Sequence, residues 1–283
     1  MTLVGPFFAV MSAVLFAAGD IAVRKGLIRG RPLTAAYTNV LVNLLIMWPL
    51  ALLLTNPHEV TIQGVIIFAL AGFMAPTLGR LFRFAGLNVI GVAKASPFSA
   101  IGPFFTAALA ILFLHENLTL FILLGTSVMV LGVLYVSLGE WAGPSRKGIS
   151  IILLSTGFFS IAEILRKLGI EMISSPPLGV AIGSSVAFVT YLLYLGVTEQ
   201  KLIPKDGFNK LFAISGVCTA FGLFSLFIAL RESPVTLIAP IFDSSPLLAV
   251  IFSALFLKDV EVVGKKILIS VTLVVVGGIL LTS

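Results

Sequence analysis

Asp243 is an acid inside an otherwise apolar stretch running from Pro234 to Leu257, and it stands between Pro240 and Pro246. A carboxylate at bilayer depth is costly, so such residues usually face a cavity or a partner and mark a substrate or proton path. The prolines remove backbone donors, and the freed carbonyls need other partners. Residues 90–115 repeat the layout without the acid: Pro97 and Pro103 keep the spacing of Pro240 and Pro246, and Ala100 stands at the position of Asp243. Interrupted apolar segments at corresponding places in two halves of a chain point to a transporter's binding site. The Asp243 carboxyl could couple transport to protons or bind a cationic group of a substrate. Asp-Ser-Ser-Pro is also good capping chemistry for a helix that restarts at Pro246.

The cations offer a second kind of chemistry. Arg80 and Arg83 lie three apart near the end of one apolar span, with Lys94 just beyond the next link. Arg80, the deeper, is expected to face a cavity and favour a carboxylate or phosphate, whereas Arg83 reads as an interfacial, snorkelling residue. Asp20 with Arg24, and Glu163 with Arg166 or Lys167, read as local helix ion pairs, with Glu163 or Asp20 as an alternative gate at a cavity mouth. Asn39 and Asn43 share one helix face, where interhelical hydrogen bonding or substrate contact would satisfy them. Ser96, Ser99, Ser244 and Ser245 flank the proline breaks and can bond either freed carbonyls or substrate.

Elements of a particular kind must position these residues. The chain has 283 residues, of which 59% are hydrophobic and 11% charged. Such a composition exceeds what a soluble core needs and indicates an all-α, polytopic membrane protein. The net charge of +6 sits in short connections, where it reads as orientation signal and lipid-headgroup contact rather than nucleic-acid affinity. The lone Cys218 excludes an intramolecular disulfide. The first apolar segment, from Leu3, is followed rather than preceded by basic residues, so it is expected to remain as a span. No HExxH, GxSxG, Walker or GxGxxG pattern is present, so neither an enzyme nor a metal or organic cofactor is expected.

Spans are expected at about 3–24, 33–54, 62–84, 90–115, 118–138, 148–170, 178–198, 208–230, 234–257 and 262–282. The polar break from Gly139 to Gly148 divides them into repeats at 1–139 and 148–283. Phe16 and Arg24-Lys25 match Phe158 and Arg166-Lys167; Pro32-Leu33 matches Pro177-Leu178; Pro97, Pro103 and His115-Glu116 match Pro240, Pro246 and Lys258-Asp259. The offset stays within a few residues of 143 throughout. Five spans per half is an odd number, so the second half is expected to enter the membrane inverted.

The stretches SPFSAIGPFFTAALAILFLHENLT and APIFDSSPLLAVIFSALFLKDVEV resemble the proline-plus-LxE segment of EamA domains, the five-helix halves of ten-helix carriers in the drug/metabolite transporter superfamily. The resemblance covers essentially the whole chain. It implies a central cavity between two halves and a multi-spanning metabolite carrier. Departures are Asn39-Val40 where relatives often carry Arg-Phe, Phe16 and Phe158 in place of tryptophan, and Asp259 in place of glutamate.

All Lys and Arg except Arg166, Lys167 and Arg231 lie around the odd-numbered links. That bias places those links in the cytoplasm and both termini outside; the ten-helix carriers resembled usually have both termini inside. The expectation is a secondary active carrier or exporter in the cell membrane. It moves a small polar or amphipathic metabolite by alternating access, coupled to protons or working by exchange. A flippase for a lipid-linked intermediate is the alternative. Expected partners are the small-molecule substrate, membrane lipid and protons, and no nucleic acid. Monomer and homodimer both remain open.

Overall fold

The structure, a computed structural model, describes residues 3–137, 145–198, 209–256 and 265–282. Within them the side chains of Ser96, Pro97 and Pro246 lie outside the described set, as do Lys258 and Asp259 entirely. The described residues form helices and short connections only. In order they are α1 (Val4–Gly26), α2 (Pro32–Leu54), α3 (Ile62–Gly72), α4 (Arg80–Ser99), α5 (Gly102–Leu114) and α6 (Leu120–Ser137). The second half supplies α7 (Arg146–Met172), α8 (Pro176–Thr198), α9 (Lys210–Glu232), α10 (Val235–Phe242), α11 (Ser245–Phe256) and α12 (Lys265–Thr282).

Six of these stretches are long and apolar enough to cross a membrane: Val4–Gly26, Pro32–Leu54, Ile62–Gly91, Arg146–Met172, Pro176–Val197 and Lys210–Glu232. Shorter apolar helices occupy Gly102–Leu114, Leu120–Tyr135, Val235–Ala249 and Thr272–Leu281. Leu52, Leu53 and Val197 are exposed on the outer surface, which suits hydrocarbon and not water. The protein is therefore a multi-pass integral membrane protein.

Local chemistry sets the helix ends. Ser145 Oγ accepts the Gly148 N–H at 3.2 Å, Thr61 Oγ1 accepts that of Gly64 at 3.2 Å, and Asn209 Oδ1 accepts that of Leu211 at 3.0 Å. Gly91, at φ 79°, ends the long helix that begins at Ile62. Between α3 and α4 the chain winds as a π-helix over Phe73–Gly79. Pro76 cannot donate there, and the freed carbonyls find side-chain partners. Thr77 Oγ1 donates to Gly72 O at 3.0 Å, and Tyr191 Oη lies 2.8 and 2.7 Å from the carbonyl oxygens of Pro76 and Thr77.

The two halves interlock by exchange. α1 packs on α9, while α7 packs on α3, α4 and the π-helical turn between them; α2 meets α8, and α6 meets α12. Hydrogen bonds follow the same rule. Ser12 Oγ donates to Gly222 O at 2.8 Å, and Ser155 Oγ to Gly79 O at 2.8 Å. Arg24 Nη1 donates to Leu87 O at 3.2 Å, and Lys167 Nζ to Leu230 O at 2.8 Å. In each pair, moving both residues by the 143-residue offset, one forward and one back, turns one bond into the other.

Candidate functional site

The site forms where two helix breaks meet. α10 ends at Phe242 and α11 begins at Ser245, leaving Asp243 and Ser244 in the gap. The Asp243 N–H makes the last regular helical bond, to Ala239 O at 2.8 Å; beyond it the chain tightens, with the Ser244 N–H 3.3 Å from Ile241 O and Ser244 Oγ donating to the same oxygen at 2.7 Å. In the first half α4 ends at Ser99 and α5 begins at Gly102, with Pro103 in its first turn. The buried Gly102 carbonyl accepts Ser160 Oγ at 3.3 Å. The absence of a side chain at Gly102 lets the breaks touch, because a Cβ there would lie 2.9 Å from Asp243 Oδ2.

Around these breaks is a cavity of about 40 Å³, room for about three waters. Its wall comprises Phe16 of α1, Arg83 and Ser99 of α4, Gly102, and Thr156, Phe159, Ser160 and Glu163 of α7. Phe242, Asp243 and Ser245 complete it. Phe16 and Phe242 meet edge to face with ring centroids 5.1 Å apart.

The charges divide into engaged and unengaged groups. Arg83 grips Asp20 side-on: its Nε lies 3.3 and 3.1 Å from the two carboxylate oxygens, and Nη2 also bonds Oδ2. Its Nη1 makes only a long contact, 3.5 Å, to Ser99 Oγ. Glu163 is 2% exposed and accepts Thr106 Oγ1 at Oε2, 3.0 Å away. Among the described residues, Glu163 Oε1 and both Asp243 carboxylate oxygens have no hydrogen-bond donor.

Several sequence expectations need correction. Arg80 is buried but is not part of the cavity wall; its Nη1 has no partner, and Arg83 takes the place expected of it. The expectation rests on depth along the span, and depth does not decide which face of α4 a residue presents. Lys94 is half-buried and also outside the wall. Asp20 bonds Arg83 rather than Arg24, and Lys167 pairs with Glu171 at 3.2 Å; Glu163 and Arg166 attract one another without a direct contact among the described residues. The Arg166 guanidinium lies 6.0 Å from the Phe227 ring centre.

Asn39 joins helices, with Nδ2 donating to Ser215 Oγ at 3.0 Å and Thr219 Oγ1 at 3.1 Å. Asn43 is wholly buried with neither amide atom partnered. Ser244 serves the broken backbone. Pro103 and Pro246 occupy second positions of restarting helices, and Pro97 and Pro240 lie inside the helices that end. Phe159, not Phe158, is the cavity partner of Phe16, at the 143-residue offset.

Two functional positions escaped the sequence reading. Thr106 orients Glu163 from a facing helix. Glu116, visible only as the acid of the LxE pattern, caps α10 from the other half: Oε1 accepts the Val235 N–H at 2.8 Å and Oε2 that of Thr236 at 2.9 Å.

Comparison with known proteins agrees with this architecture. The model of the EamA-like transporter family matches residues 3–138 and again 146–283. An uncharacterized transporter of Archaeoglobus fulgidus is 23% identical over 249 residues, covering 88% of this chain and 87% of the relative. An uncharacterized protein of Methanocaldococcus jannaschii is 31% identical over 81 residues, 29% of this chain and 59% of its own. A crystal structure of 12% identity superposes with a TM-score of 0.79 over 100% of this chain and 97% of its own, a likeness of fold.

Proposed function

Because the chain belongs to the EamA-like transporter family, we propose that it is a secondary carrier for a small polar or amphipathic metabolite, working by alternating access around the cavity between α1, α4, α7 and the α10–α11 break. Membrane transport is the family's activity; substrate, coupling and route are the proposal. The observation that carries it is a small, partly open cavity lined by charged groups where two proline-broken helices meet. Such breaks at a repeat interface are where carriers of this architecture hold substrate.

Ten spans in two inverted five-helix halves account for the exchanged packing. Ser12 with Gly222 and Ser155 with Gly79 are what a pseudo-two-fold axis in the membrane plane would generate. The halves can then trade conformations, opening the cavity first to one side and then to the other. A volume of about 40 Å³ suits a contracted stage of that cycle.

Asp243 is assigned the coupling role. No side chain bonds it among the described residues, it sits at the break, and its first-half counterpart is Ala100, so the repeat alone did not require an acid. A separate apolar groove lined by Trp48, Leu52, Val60, Val65 and Leu178 shares no wall residue with the cavity. That groove gives a lipid headgroup no route into the cavity.

The test is flux in proteoliposomes across a panel of labelled amines, amino acids, carboxylates and sugar phosphates, with and without a pH gradient. Protein-dependent flux of at least one class supports the reading, and flux of none contradicts it.

A further inference from the structure

Resting on the carrier reading, we infer that the cavity takes an organic cation: an amine borne on an apolar body. Its ammonium is held by Asp243 and Glu163, and its body lies against Phe16, Phe159 and Phe242. Three acceptor atoms in the wall lack donors among the described residues, namely Glu163 Oε1 and the two oxygens of Asp243. An alkylammonium carries three N–H donors and no acceptor, which is the complementary set. Glu163 is 98% buried by its 2% exposure, so its free oxygen faces the cavity and not bulk solvent. A buried carboxylate left without a donor is costly, and a bound cation removes that cost.

The cations nearby do not compete for an anionic substrate. Arg83 commits Nε and Nη2 to Asp20 and spares only the weakly held Nη1. Arg80 and Arg166 are buried outside the wall, and Arg166 is turned to the Phe227 ring. An anion entering would therefore meet two carboxylates and one guanidinium already engaged with Asp20, an arrangement that selects against it. The three phenylalanines add aromatic rings beside the acids, and ring faces attract cations while ring bodies shelter apolar groups. A ligand larger than a few waters needs the cavity to widen, as the carrier cycle requires.

Three probes of one skeleton separate the charge classes: phenethylamine, phenylalanine and 3-phenylpropionate. Binding to the protein in lipid nanodiscs at neutral pH is measured by calorimetry. Phenethylamine is expected to bind at least about tenfold more tightly than either other probe, as like-charge rejection of a carboxylate implies. Glu163→Gln and Asp243→Asn should each weaken it by about tenfold or more, with thermal unfolding checking that both variants fold. Equal or tighter binding of phenylalanine or 3-phenylpropionate to the wild type overturns the inference, and so does absence of phenethylamine binding. Because those outcomes use the wild-type protein, they stand even if a variant misfolds. Flux of the amino acid or the carboxylate without the amine would overturn the cation class and leave the carrier standing. Amine binding with no flux of any probe would do the reverse.

Discussion

Arg83 and Asp20, 63 positions apart, hold each other side-on, with Arg83 Nε 3.3 and 3.1 Å from the two Asp20 oxygens. Both side chains are largely buried, at 18% and 7% exposure. Removing one partner leaves the other charge uncompensated. Asp20→Asn should cost about 3 kcal/mol or more, whereas Asp20→Leu combined with Arg83→Leu should cost less than the single change. Thermal unfolding in detergent reads both. Flux should fall further with Arg83→Ala than with Arg80→Ala, because Arg83 lines the cavity and Arg80 does not.

Glu116 ties the end of α5 to the start of α10 through two backbone N–H groups. Glu116→Ala should cost about 1–2 kcal/mol, as loss of a helix cap does. Glu116→Gln, which keeps one acceptor, should recover part of it. Equal stability of wild type and Glu116→Ala in thermal unfolding would remove the cap from this account.

Gly72 and Gly183 bring α3 and α8 into backbone contact: a Cβ on Gly72 would lie 2.4 Å from Gly183 Cα. Backbone cannot yield as a flexible side chain can. Gly72→Ala should lower stability by about 1–3 kcal/mol through overpacking. Gly157→Ala is the control, since nothing lies within 4 Å of its Cβ position. A larger loss at Gly157 would contradict the packing described.

The charge bias of the links gives an orientation that labelling can read. With Cys218→Ser as background, Ser145→Cys should resist an impermeant maleimide in intact cells and react after permeabilisation. Reaction in intact cells would place both termini inside.

The helices, the break at Asp243 and the repeat could be read in the sequence because each rests on local features: apolar runs, proline spacing and a fixed offset. The partners could not. Arg83 meets Asp20 across two helices, and the π-helical turn over Phe73–Gly79 interrupts the span that carries both arginines. A residue count of 3.6 per turn carries no trace of that turn. Phe159 replaces Phe158 for a related reason: a one-residue slip in alignment is invisible in an apolar helix but turns the ring by about 100°. Glu116 was visible as a pattern, but its target lies in the other half of the chain.

The carrier proposal puts transport at the cavity of the α10–α11 break and coupling at Asp243. Asp243→Asn keeps the shape of the side chain and removes its charge and its titration. For whichever probe the wild type moves, at concentrations saturating both proteins, an imposed pH gradient should drive accumulation in wild-type proteoliposomes and none in Asp243→Asn proteoliposomes of matched protein content, while downhill exchange persists in both. Unchanged gradient-driven accumulation by Asp243→Asn would show that Asp243 is structural and that coupling lies elsewhere, with Glu163 the next residue to test.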